Sequence, residues 1–171
     1  MRYDALPLAA GDGTYHAVVE AVAGSRHKFK YEPALGVFVL HAVLPAGLAF
    51  PVDFGFLPAT RGGDGDPLDV LLCMDEPAPC GSVVRCRLLG VIEARQKKPG
   101  GPWQRNDRLL AAVEPALRYA RCRAPGDLPP GFVDDLERFF AVYNDAREVR
   151  FEVLGHKGAA AAARLVKAGR A

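Results

Sequence analysis

Cysteine is scarce in this chain. Of 171 residues only Cys73, Cys80, Cys86 and Cys122 are cysteine, with no Cys-x-x-Cys pair and no His–Cys spacing of a zinc site. A chain of this length does not depend on disulfide staples, so reduced thiols are expected. Cys86 alternates with Arg85 and Arg87, which predicts a packed strand position rather than a nucleophile. No apolar run approaches the roughly 18 residues of a membrane span, and no basic-then-apolar leader opens the chain; a cytoplasmic protein with no membrane partner is the expectation. An excess of one charge is missing too. With 22 Lys and Arg against 20 Asp and Glu, net +2, no global field points to nucleic acid, and any anion site must be local. Fixed-period repeats and long linkers are also missing. Half the residues are apolar, enough for one core, so residues 1–171 are read as a single domain with its core at about 14–168.

What is present is an unusual density of carboxylates in one place, Asp64-Gly65-Asp66-Pro67-Leu68-Asp69. Three acidic groups on a tight Gly/Pro turn repel one another unless a cation sits among them. Oxygen-only donors suit a hard divalent ion, above all Mg²⁺, which takes one or two carboxylates and completes its shell with water and substrate phosphates. A calcium loop fits poorly, because its positions 5, 6 and 12 would fall on Leu68, Asp69 and Asp75 rather than an oxygen donor, Gly and Glu. The plain alternative is a solvated acidic turn whose carboxylates cap backbone N–H groups.

Periodicity divides the chain. Tyr15 to Val22 alternates, with His16, Val18, Glu20 and Val22 on one side; Lys28 to Glu32 and Gly36 to Leu44 follow as short strands, with Lys28 and Lys30 on one face. Val83 to Ala94 reads as a strand partnered by Arg108 to Val113 across the Pro/Gly-rich loop from Lys97 to Asn106. Beyond Asp127-Leu128-Pro129-Pro130, a helix entry, Phe132, Leu136, Phe139, Phe140 and Tyr143 recur at helical spacing opposite Asp134, Asp135, Glu137 and Arg138. Val149 to Val153 reads as a last strand and Ala159 to Lys167 as a short helix. The fold class expected is α+β: a small closed five-stranded OB-like β-barrel with flanking strands and two C-terminal helices.

Three segments, in this order, resemble the soluble family I inorganic pyrophosphatases. Gly24-Ser25-Arg26-His27-Lys28-Phe29 is similar to the stretch before that family's first catalytic lysine, Phe50-Pro51-Val52-Asp53-Phe54-Gly55-Phe56 to its Tyr-Pro-x-x-Tyr-Gly-Phe segment, and Asp64 to Val70 to its acidic signature. Gly81 to Arg87 and Phe139-Phe140-x-x-Tyr143 extend the likeness. The resemblance implies Mg²⁺-dependent hydrolysis of pyrophosphate to two phosphates in a cleft at the barrel mouth, in a homo-oligomer, usually a hexamer. Carried over by position, it implies metal ligation by Asp64, Asp69 and Asp66, with Glu20 on the metal side. Asp66 would contact the attacking water, Lys28 and Arg108 would bind phosphate, and Tyr143 would donate its hydroxyl to product phosphate.

The departures from that pattern cluster in the implied site. Lys30 stands where the family has a glutamate, Ala42 where it has an arginine, Phe54 for a tyrosine, Gln96 and Asn106 for two aspartates, Arg108 for a lysine and Asn144 for another lysine. Together they make the site more positive, so fewer Mg²⁺ ions are expected, with Lys30 serving catalysis and substrate binding in place of a lost metal. Asp107 is a substitute ligand if the register at Asn106 shifts by one. Besides pyrophosphate, a related phosphoanhydride fits the same chemistry, and a non-catalytic phosphate-binding or assembly paralogue is the reading from a different class. Single-strand nucleic-acid binding, common on OB-like barrels, lacks a basic groove with stacked aromatics here.

Overall fold

Val70-Leu71-Leu72-Cys73 and Leu109-Leu110-Ala111-Ala112-Val113 are apolar without alternation, the mark of strands buried on both faces. In the computed structural model, which describes residues 2–171, these runs lie side by side as a parallel pair at the centre of a closed sheet. The strands are β1 (Ala9–Gly11), β2 (Thr14–Ala21), β3 (His27–Glu32), β4 (Val37–Val43), β5 (Asp53–Phe56), β6 (Asp69–Cys73), β7 (Val83–Lys97), β8 (Gln104–Arg105), β9 (Arg108–Glu114) and β10 (Arg150–Gly158). The helices are α1 (Phe132–Asp145) and α2 (Ala159–Ala168).

Pairing runs β2-β5-β6-β9-β7, and β7 returns to β2, which closes a five-stranded ring that is not an even barrel. Closure removes the exposed edges of the ring strands. β1, β8 and β10 flank it, and β3 with β4 forms a separate antiparallel hairpin. The expected α+β barrel with two C-terminal helices is therefore present. β5 and β6 are ring strands that alternation did not reveal, because neither shows a solvent face.

The two faces of the sheet serve two helices. Leu71, Cys73, Leu110 and Ala112 pack with Leu136, Phe139, Phe140 and Tyr143 of α1, whereas Val70, Leu72, Leu109 and Ala111 pack with Ala162 and Val166 of α2. Each fully buried Leu or Phe contributes about 1.5–3 kcal/mol relative to exposure. Phe50, Phe54, Phe139, Phe140 and Tyr143 add tilted, edge-on and stacked ring contacts with centroids 5.1 to 6.1 Å apart. Such contacts are worth about 0.5–1.5 kcal/mol each beyond area. This cluster anchors α1 beside the barrel mouth.

Local details follow the sequence with two changes. α1 begins at Phe132, which is half-buried, while Asp127 caps a preceding 3-10 turn, its Oδ2 accepting from Arg123 N (2.7 Å) and Ala124 N (2.9 Å). The alternation expected across Tyr15 to Val22 breaks at Glu20. Val19 pairs with Gly55 and Ala21 with Phe54, leaving Glu20 as the extra residue of a bulge. Gly55 is required opposite it, since a Cβ there would collide with the Val18 carbonyl. The four thiols are free; Cys73, Cys86 and Cys122 are buried, and burial pushes Cys73 and Cys86 up to about 12. Cys86 is a packed strand residue, as its alternation with Arg85 and Arg87 predicts. Among the described residues no helix is long and apolar enough to cross a membrane.

Candidate active site

The parallel pairing of β6 with β9 decides the geometry of the barrel mouth. Val70 lies opposite Leu109, so the preceding residues, Asp69 and Arg108, emerge together at the same end. Arg108 NH1 lies 2.7 Å from Asp69 Oδ2, with the guanidinium nearly buried between the rings of Phe54 and Phe140. Among the described residues its buried Nε has no hydrogen-bond partner, and NH1 also donates to Asn106 Oδ1.

Asp64 and Asp66 come from the loop between β5 and β6. Thr60, buried at the base of that loop, donates to Leu57 O (2.6 Å) and accepts from Leu68 N (3.0 Å). Gly62 N donates to Asp66 O (2.7 Å), and Gly65 takes φ of +89°, a backbone that glycine adopts without strain. Asp64 Oδ1 accepts from Asp66 N at 3.2 Å. Burial holds the Asp64 carboxyl above the usual range, helped by Asp69 and Asp66 and opposed by the Asp66 N–H.

The hairpin β3–β4 supplies cations. Lys30 Nζ lies 2.8 Å from both carboxylate oxygens of Asp66, 36 residues away. Burial lowers the Lys30 pKa, but the hydrogen bond and charge of Asp66 outweigh it and the net shift is upward. Lys28 Nζ sits 4.3 Å above the centroid of Phe54. Lys28 pairs with Ala42 and Phe29 with Leu40, so His41 is the extra residue of a second bulge.

All eight residues singled out from the sequence line one cavity of about 620 Å³: Glu20, Lys28, Lys30, Asp64, Asp66, Asp69, Arg108 and Tyr143. Burial pushes the Glu20 carboxyl up to about 7, against the pull of Lys28. Gln96 and Asn106 line the cavity as well. Asp107 does not: its Oδ1 accepts from Ala94 N (2.9 Å) and pairs with Arg105 at 2.9 Å, so it braces the β7–β9 connection outside the cavity. Asn144 is buried with its Nδ2 donating to Phe140 O, outside the cavity. His41, Lys98, Gln104 and Arg147 also line it and escaped the sequence reading. Arg147 lies in the turn just past the end of α1, where no periodicity marks it.

A ring-closed barrel whose mouth gathers carboxylates, Lys and Arg around one polar cavity defines a class of protein that handles a small polyanion together with cations. The comparisons with known proteins make this specific. Residues 17–171 match the family model described as inorganic pyrophosphatase. The chain is similar to the inorganic pyrophosphatase of Nostoc sp., 31% identical over 155 residues that cover 91% of this chain and 89% of the relative. It is similar to that of Synechocystis sp., 30% identical over 167 residues, 98% of this chain and 96% of the relative. The crystal structure of inorganic pyrophosphatase from Thermus thermophilus superposes with a TM-score of 0.89 at 29% identity, covering 99% and 97% of the two chains. The chain belongs to the inorganic pyrophosphatase family. It is thereby an inorganic diphosphatase, a hydrolase of phosphoanhydride bonds.

Membership implies a divalent metal cofactor. The donor set suits a hard cation, since carboxylates of Asp64, Asp66, Asp69 and Glu20 reach the same cavity. As these side chains stand, however, no three Asp, Glu, His or Cys groups among the described residues are clustered closely enough to hold an ion. Lys30 and Arg108 instead engage Asp66 and Asp69. The residues fit a divalent ion that competes with these two built-in cations.

Proposed function

We propose that the cavity hydrolyses inorganic pyrophosphate with Mg²⁺, using Asp64, Asp66 and Asp69 as metal ligands and Glu20 on the metal side. The observation that carries this reading is the convergence of that acidic turn with Lys28, Lys30, Arg108 and Tyr143 in one cavity. The metal, when bound, supplies Lewis-acid polarisation of a phosphoryl oxygen and an acidified water. Asp66 accepts a proton as the water oxygen bonds to phosphorus and the bridging P–O bond breaks. Lys28 and Arg108, which line the cavity, bind phosphate oxygens. Tyr143 donates its O–H to an oxygen of the departing phosphate. Lys30 orients Asp66 and neutralises charge beside the phosphates, in the place of a further metal.

The same reading makes residues 1–171 one catalytic domain of a cytoplasmic homo-oligomer, hexameric by the resemblance. Phosphate release from pyrophosphate, with Mg²⁺ present and then chelated, is the direct test. Asp66→Asn should lower kcat by about 10²-fold or more, the contribution of a general base, with little change in Tm. Full activity in Asp66→Asn, or in the metal-free wild type, would remove Asp66 or the metal from the chemistry.

A further inference from the structure

Cations in the cavity divide into two groups. Lys30 is ion-paired with Asp66 and Arg108 with Asp69. Arg147 belongs to the other group: among the described residues no carboxylate pairs with it, and its one side-chain hydrogen bond is NH1 to Tyr143 Oη at 3.0 Å. A guanidinium carries five N–H donors in a planar fork, so four remain for a ligand.

The contact with Tyr143 also sets the phenol. The Tyr143 hydroxyl accepts from Arg147 and donates to nothing else among the described residues, so its proton is free for a ligand oxygen. The guanidinium carbon stands 5.0 Å from the centroid of the Tyr143 ring, which fixes the fork over a rigid surface. Tyr143 itself is buried and stacked on Phe139 at an interplanar angle of 23°. Asn144, the next residue, turns inward to Phe140 O, so Arg147 is the residue that brings positive charge to the cavity from this end of α1.

We propose that Arg147 is a phosphate clamp of this site, holding one phosphate of the substrate through its fork while orienting the Tyr143 hydroxyl toward the same oxygens. The bulge in β4 adds His41 to the same cavity. Burial and the charges of Lys28, Lys30 and Arg147 hold His41 below its ordinary value, opposed by Asp66, so cations converge on this part of the cavity. The ligand class is a phosphate or diphosphate anion, and the assignment of that anion as substrate rests on the function proposed above.

The test uses the full chain with Mg²⁺ and two probes, inorganic phosphate and the non-hydrolysable diphosphate analogue imidodiphosphate, titrated calorimetrically alongside pyrophosphate kinetics. Arg147→Ala should weaken both probes and raise KM by about 10- to 100-fold, the worth of hydrogen bonds to a charged group. Arg147→Lys should recover part of that loss, and Tm should stay unchanged because Arg147 is exposed. In a Tyr143→Phe background the Arg147→Ala effect should shrink, since the two act on one phosphate. Probe affinities and KM unchanged in Arg147→Ala would overturn the clamp, as would a wild type that binds neither probe. A wild type that binds both probes through Arg147 but releases no phosphate from pyrophosphate would uphold the clamp and remove the proposed reaction.

Discussion

Replacing Lys30 by Gln removes the ammonium that lies 2.8 Å from both oxygens of Asp66 and keeps a side chain of similar reach. The two side chains are 42% and 55% exposed. Solvent screening therefore holds this ion pair to about 0.2–1 kcal/mol. A divalent cation that takes Asp66 must break the pair and then tolerate the displaced ammonium nearby. Unit charges about 4 Å apart interact by about 1 kcal/mol in water, and about twice that when one of them is divalent. The flexible lysine relieves part of this by swinging outward, so a net gain of about 1–2 kcal/mol is expected on its removal. That is about 5- to 30-fold tighter Mg²⁺ binding. Isothermal titration of the substrate-free protein at about 0.1 M ionic strength, where the Debye length is about 10 Å, reads this directly. Lys30→Glu should go further and bind additional Mg²⁺ per chain. An affinity within twofold of wild type in Lys30→Gln, together with unchanged stoichiometry in Lys30→Glu, would refute the view that Lys30 occupies the place of a metal.

The remaining expectations concern the framework around the site. Asp75 accepts from Leu117 N (2.6 Å) and Arg118 N (2.9 Å), and Asp127 from Arg123 N and Ala124 N. These hydrogen bonds hold both carboxyls below their ordinary 3.8. A depressed folded-state pKa contributes stability that is present above the unfolded value and lost as pH falls through the folded one. Amide exchange at residues 117, 118, 123 and 124, corrected for intrinsic rates, should therefore accelerate below pH 3.8 ahead of the barrel strands, and equal protection throughout would refute it. Leu136→Ala, at a 1% exposed position between α1 and the sheet, should cost about 2–5 kcal/mol as a lower denaturant midpoint with an unchanged slope. A loss under about 1 kcal/mol would mean the α1 interface collapses around the gap.

Local pattern made much of this protein legible. The acidic turn stood out through composition alone, because three carboxylates in six residues repel one another unless cations or backbone N–H groups lie among them. The stripe from Phe132 to Tyr143 marked α1, alternation marked β2 and β3, and apolar runs bounded by Gly/Pro turn signals marked β4, β7 and β9. β5 and β6 were harder, since strands buried on both faces carry no period of two, and β6 is a plain apolar run.

Long-range pairing decided what a window of a few residues cannot contain. Parallel registry of β6 with β9 put Arg108 on Asp69, and packing of the β3–β4 hairpin against the acidic loop put Lys30 on Asp66. Two bulges placed Glu20 and His41 at the cavity, each by one unpaired residue that no periodicity announces. Asp107, equivalent to a ligand by composition, was consumed by Ala94 and Arg105 instead. Sequence by itself determined which charges exist and which segments become strands and helices, because those depend on neighbours along the chain. Only the tertiary structure decided which cation neutralises which carboxylate and which donors stay free for a ligand, because electrostatic pairing acts through a few ångströms of space between residues far apart in the chain.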